Sequence, residues 1–143
     1  MENLIEKQKL ISIQNILKTV FVIVPLVAGF DKFTNLLVQW EMYINPILLK
    51  LLPVSGHTFM YAVGIIEMIA GIVVFVQPRI GAYIVSLWLV GIALNLLLSG
   101  HYLDVAVRDL VMATGAYTLA RVSALIGDEQ RSKNSVLASA YQR

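Results

Sequence analysis

Cysteine is absent from the chain, which removes disulfides, thiol relays, iron–sulfur ligation and cysteine-built zinc sites at a stroke. Any redox role therefore needs a bound cofactor or a partner. Charge is scarce as well: Asp, Glu, Lys and Arg make up 14% of the sequence, against about a quarter in soluble domains. With 58% hydrophobic residues and a mean hydropathy of +0.76, the 143-residue chain is too apolar for an ordinary soluble domain. It reads as an integral membrane protein. A hydrocarbon core about 30 Å thick needs about 20 helical residues per crossing, so four crossings use most of the chain and leave room for one membrane domain. The net charge of +2 and pI near 9.0 do not indicate nucleic acid, because the basic residues flank apolar segments as orientation signals do.

What is present predicts an all-α fold, an integral membrane four-helix bundle with spans at about 11–30, 57–76, 80–99 and 103–125. The run from Thr19 to Phe30 is uncharged and is followed by GFDKF rather than a small-residue cleavage pattern, so it reads as a span and not a signal peptide. Pro25 falls inside it, where neighbouring groups can satisfy the freed carbonyl. Residues 32–53 carry Phe33, Leu36, Trp40, Tyr43, Ile47 and Leu51 at helical spacing among polar residues. That pattern predicts amphipathic interfacial helices on the outer face, interrupted at Pro46 and ended at Pro53, either as a lid or as a headgroup anchor. A polar cytoplasmic tail is expected over 127–143, with the last helix ending near Gly127.

The ionisable residues inside the spans mark where function is to be sought, since a charge in hydrocarbon costs about 2.5–3.5 kcal/mol and usually faces other helices or a cavity. In HYLDVAVRDLVMATGAYTLARV, Asp104 and Arg108 stand four residues apart and are expected to form a structural ion pair. Asp109 instead joins Ala106, Ala113, Ala116, Ala120 and Ala124 in a small-residue series that should face the bundle. Glu67 lies about ten residues into the second span, about 15 Å deep, flanked on its own face by Gly64 and Gly71. It must be protonated there or paired with Lys32, Arg108 or another donor. In the third span Trp88, Gly91, Asn95 and Ser99 share one side, and Asn95 brings an amide that either packs or contacts a ligand. The plainer reading is that Asp104, Arg108 and Asp109 only fix helix packing.

Lys7, Lys9, Lys18, Arg79, Arg121, Arg131, Lys133 and Arg143 fall on the side of the termini, whereas Lys32 and Lys50 fall opposite. Both termini are therefore expected in the cytoplasm. Asp31, Lys32, Trp40, His57, His101, Asp104, Arg108 and Asp109 then lie toward the outer face with Glu67 and Asn95 below, and one polar pocket is expected to gather them. No metal site is expected, and His57 and His101 read as interfacial residues rather than haem ligands.

GFDKFTNLLVQWEMYINP, VGIIEMIAGI, PRIGAYIV, LNLLLSGHYLDVAVRDL and GAYTLAR together resemble the DoxX-like family of small four-helix bacterial membrane proteins, over roughly residues 15–126. The resemblance implies a bacterial inner-membrane location and puts Lys32, Glu67, Arg108 and Asp109 at family-like polar positions. Some members of that family are subunits of a thiosulfate:quinone oxidoreductase, and others are linked to oxidative-stress complexes. The expectation is an accessory redox subunit whose outer pocket takes a quinone-like head group or another small ligand. Lys32, Trp40, Glu67, Asn95, Arg108 and Asp109 are the expected ligand contacts, with Glu67 or Asp109 handling protons and Arg108 steadying a developing oxyanion. Whether it is an enzyme stays open. The alternative is a non-catalytic assembly subunit that contacts other membrane subunits or a second copy; transport of a small anion or lipid is weaker, because no internal repeat is visible.

Overall fold

The computed structural model describes residues 2–51 and 53–141, so Leu52 within the expected lid, and Gln142 and Arg143 of the expected tail and charge count, lie outside the described residues. The fold is all-α, and no strand occurs among the described residues. It comprises α1 (Glu2–Thr34), a 3-10 turn (Trp40–Tyr43), α2 (Pro46–Leu51), α3 (Gly56–Val76), α4 (Pro78–Ser99) and α5 (Leu103–Tyr141). α1, α3, α4 and α5 are long and apolar enough to cross a membrane, which makes this a multi-pass membrane protein.

Local chemistry sets the turns. α1 runs through Pro25 and stops at Asn35, whose φ of 49° lies in the left-handed region that Asn tolerates. The Asp31 carboxylate then gathers the reversing chain, accepting from the backbone N–H groups of Leu36 at 2.9 Å and Leu37 at 3.1 Å. Ser55 caps α3 by accepting from the Thr58 N–H. Pro78 opens α4 where no N–H partner is needed, and Gly100, at φ 69°, closes it.

Two antiparallel pairs form the bundle, α1 with α3 and α4 with α5. In the first pair Gly29 and Gly64 bring the backbones together so closely that a Cβ on Gly64 would sit 2.6 Å from the Gly29 carbonyl oxygen. In the second, the small-residue series of α5 is buried as expected at Ala106, Asp109, Ala113, Ala116 and Ala120, with Ala124 half-buried. That face is consumed inside the bundle. Near the α3–α4 turn the pairs share one core of Phe21, Ala70, Val74, Ala82, Val85, Ala116 and Leu119. Toward the other end the core divides, into Ile44, Met60 and Val63 against α3 and Ala93, Leu96 and Ala106 between α4 and α5. The pairs part there, and the space between them is the site.

Two expectations about the connecting segments are corrected. Pro46 does not interrupt a helix but begins α2, as a residue lacking an N–H does at a first turn, and the segment before it is a single 3-10 turn. The last helix does not end near Gly127. α5 continues to Tyr141, because Gly127 takes no left-handed turn and pairing continues past it: Lys133 binds Glu129 one turn away at 2.5 Å, and Lys7 of α1 approaches Glu129 at 3.8 Å.

Candidate functional site

A cavity of about 740 Å³ occupies the cleft between the two pairs, within the range of small-molecule sites. Lys32, Trp40, Glu67, Asn95, Arg108 and Asp109 all line it. Most of the remaining wall is apolar, including Met60, Val63, Leu96 and Met112.

Lys32 and Glu67 form its charged centre. The Lys32 Nζ donates to Glu67 Oε2 at 2.6 Å, and the two residues are 4% and 8% exposed, so each charge has left water only because the other is there. The Gly29–Gly64 contact makes this possible. Lys32 stands one turn beyond Gly29, and Glu67 one turn beyond Gly64 on the antiparallel partner. The ammonium also lies 3.7 Å from the centre of the Trp40 ring, a cation–π contact, and the Trp40 Nε1–H donates to Asp31 Oδ2 at 2.8 Å. Asp31 does not line the cavity; it holds the indole that covers Lys32. On the other side the Trp88 Nε1–H reaches Glu67 Oε1 at 3.5 Å.

Asp109, 7% exposed, meets the cavity from α5. Its Oδ1 accepts from Arg108 Nε and Nη2, each at 3.4 Å, while the Arg108 side chain stays 65% exposed. This corrects the expected Asp104–Arg108 pair, which does not form among the described residues. Asp104 is exposed, whereas the buried Asp109 carboxylate gains far more from a cation, so the guanidinium turns to its neighbour. Asn95 is partly committed to the fold: its Nδ2–H donates to the Tyr43 carbonyl at 3.3 Å and ties the 3-10 turn to α4.

His57, His101 and Asp104 stand outside the cavity, contrary to the expectation of one pocket for every outer polar residue. His57 bridges Glu41 at 2.8 Å and Tyr61 at 2.7 Å on the exposed surface, and His101 Nδ1 donates to the Ser99 carbonyl at 2.7 Å. No metal-holding cluster of His, Asp or Glu occurs among the described residues. Trp88 stands outside the six expected ligand contacts, yet it lines the cavity. The signal was its shared face with Gly91 and Asn95, which lines the cavity. No protein-family model, curated protein or solved structure matches the chain.

Proposed function

We propose that the protein binds the head group of a quinone-like molecule in this cavity, as an accessory subunit of a membrane redox complex of the DoxX-like kind. The observation that carries the reading is the buried Lys32–Glu67 pair at the centre of an otherwise apolar cavity. Buried ionisable groups in a membrane are costly and are kept where protons or ligands are handled. A quinone takes up protons as it takes up electrons. Glu67 and Asp109 are the carboxylates placed to relay them, Arg108 and the loosely held Trp88 N–H, 3.5 Å from Glu67, are donors for carbonyl oxygens, and the electrons come from a partner subunit.

In this reading the protein sits in a bacterial inner membrane with both termini in the cytoplasm. The terminal side then holds Lys7, Lys9, Arg79, Arg131 and Lys133, and the cavity lies toward the outer leaflet under the Trp40–Leu51 segment. The test is the lipid extract of natively purified protein. Quinone co-purifying in near-stoichiometric amount with the wild type, and reduced by Glu67→Gln, is the expected result. An extract lacking quinone in both forms overturns the proposal.

A further inference from the structure

The cavity is not closed at its sides. On α4 its wall includes Ile84, Leu87 and Gly91, which face outward: Leu87 is 75% exposed, and a Cβ on Gly91 would meet nothing within 4 Å. Across from them stand Phe59 and Val63 of α3. α3 and α4 pack backbone to backbone where Val74 meets Gly81, near their shared turn; further along, α4 reaches Met60, Val63 and Glu67 of α3 with the Trp88 side chain, and at Gly91 it offers no side chain to the gap. The gap therefore opens sideways. Gly91 lies about 13 Å along α4 from its Gly100 end, which is hydrocarbon depth in a layer about 30 Å thick. On the α5 side the wall differs in chemistry, for the cavity-lining Arg108 side chain is 65% exposed there.

The charges inside cancel. Lys32 is matched by Glu67 and Arg108 by Asp109, so an anionic head would meet two carboxylates along with the two cations. An uncharged polar head meets donors and acceptors at no such cost. We infer that the cleft admits a membrane amphiphile with an uncharged head from the side, its hydrocarbon chain lying in the α3–α4 gap beside Gly91. This rests on the binding role proposed above and adds the route and the charge class. Gly91 is then a specificity-determining position: its missing side chain is the opening.

The chain's two tryptophans, Trp40 and Trp88, both line the cavity, so their fluorescence reports its occupancy. Full-length protein in phosphatidylcholine vesicles is titrated with a monoacylglycerol bearing a dibrominated chain, since bromine quenches indole on contact. A tail-less benzoquinone and a fatty acid with the same brominated chain are run in parallel. The brominated monoacylglycerol is expected to quench the wild type. Gly91→Phe is expected to weaken that quenching about tenfold by filling the gap, with Gly91→Leu and Gly91→Ala graded below it. The tail-less quinone is expected to act alike on the wild type and Gly91→Phe. The smaller substitutions keep the test decisive if the phenyl ring impairs folding. Equal quenching of the wild type and all the Gly91 variants by the monoacylglycerol overturns the inference while leaving head-group binding intact. Stronger binding of the anionic fatty acid than of the monoacylglycerol overturns its charge argument. A Gly91-dependent response to the brominated chain, with no response to the quinone, upholds the lateral route and removes the quinone reading. No quenching of the wild type by any probe removes both.

Discussion

Lys32 and Glu67 are 35 residues apart in sequence, yet they meet at 2.6 Å, because Gly29 and Gly64 allow two backbones to touch one turn away. The pair is a mutual dependence. Taking away one member leaves a buried, uncompensated charge, which costs about 3–5 kcal/mol, whereas replacing both by apolar residues of similar size is close to neutral. Lys32→Met is accordingly expected to lower the thermal unfolding midpoint of the detergent-solubilised protein sharply, and adding Glu67→Leu is expected to restore most of the loss. A double variant no more stable than Lys32→Met would show that the pair is not coupled.

The glycines separate into two kinds that one measurement can distinguish. A Cβ at Gly64 runs into the Gly29 carbonyl, so Gly64→Val must push α1 from α3, an overpacking cost of about 1–3 kcal/mol that also draws Lys32 away from Glu67. Gly91 has open space around it, and Gly91→Ala is expected to leave stability unchanged or raise it by up to about 1 kcal/mol through helix propensity. Unfolding midpoints for both variants check the contrast. Equal losses at the two positions would contradict the packing described.

The spans were legible because a long apolar run has few alternatives in a helical membrane protein. Each expected span falls on one helix, 57–76 on Gly56–Val76 and 80–99 on Pro78–Ser99, while α1 and α5 run well past 11–30 and 103–125. Lys32, Glu67 and Asp109 stood out for the same energetic reason, as charges too costly to leave among lipids. What stayed hidden depends on distances that no spacing rule contains. Trp88 shares a face with Asn95 in sequence, but its 3.5 Å approach to Glu67 is a distance between two helices that spacing does not contain. Arg108 has two acids within reach, and helix periodicity favours Asp104; only the burial of Asp109 decides the matter. The extension of α5 past Gly127 escaped because glycine reads as a helix end, and one of the contacts that hold the helix beyond it, Lys7 with Glu129, comes from the far end of the chain.

The choice Arg108 makes between its neighbours has a measurable consequence. Asp104→Asn is expected to change stability by no more than about 0.5 kcal/mol, as exposed charges usually do. Arg108→Ala removes the cation beside the buried Asp109 and is expected to destabilise the protein clearly more, and Asp109→Asn in the same background should recover part of that loss. Chemical or thermal unfolding of the single and double variants gives the coupling directly. A larger loss from Asp104→Asn than from Arg108→Ala would reverse the assignment.

Because the chain has no cysteine, a single introduced thiol reports sidedness without any background substitution. Ser55 caps α3 at the cavity end, and Ser132 lies on the exposed, extended part of α5 beyond the α3–α4 turn, so the two sit at opposite ends of the molecule. Ser55→Cys sacrifices a cap bond worth about 1 kcal/mol, which a four-helix membrane bundle should tolerate. With basic residues concentrated at the terminal end, a membrane-impermeant maleimide added to intact cells is expected to label Ser55→Cys and to reach Ser132→Cys only after permeabilisation. The reverse pattern would place the Lys32–Glu67 cavity toward the cytoplasm and move any proton exchange at Glu67 to that side.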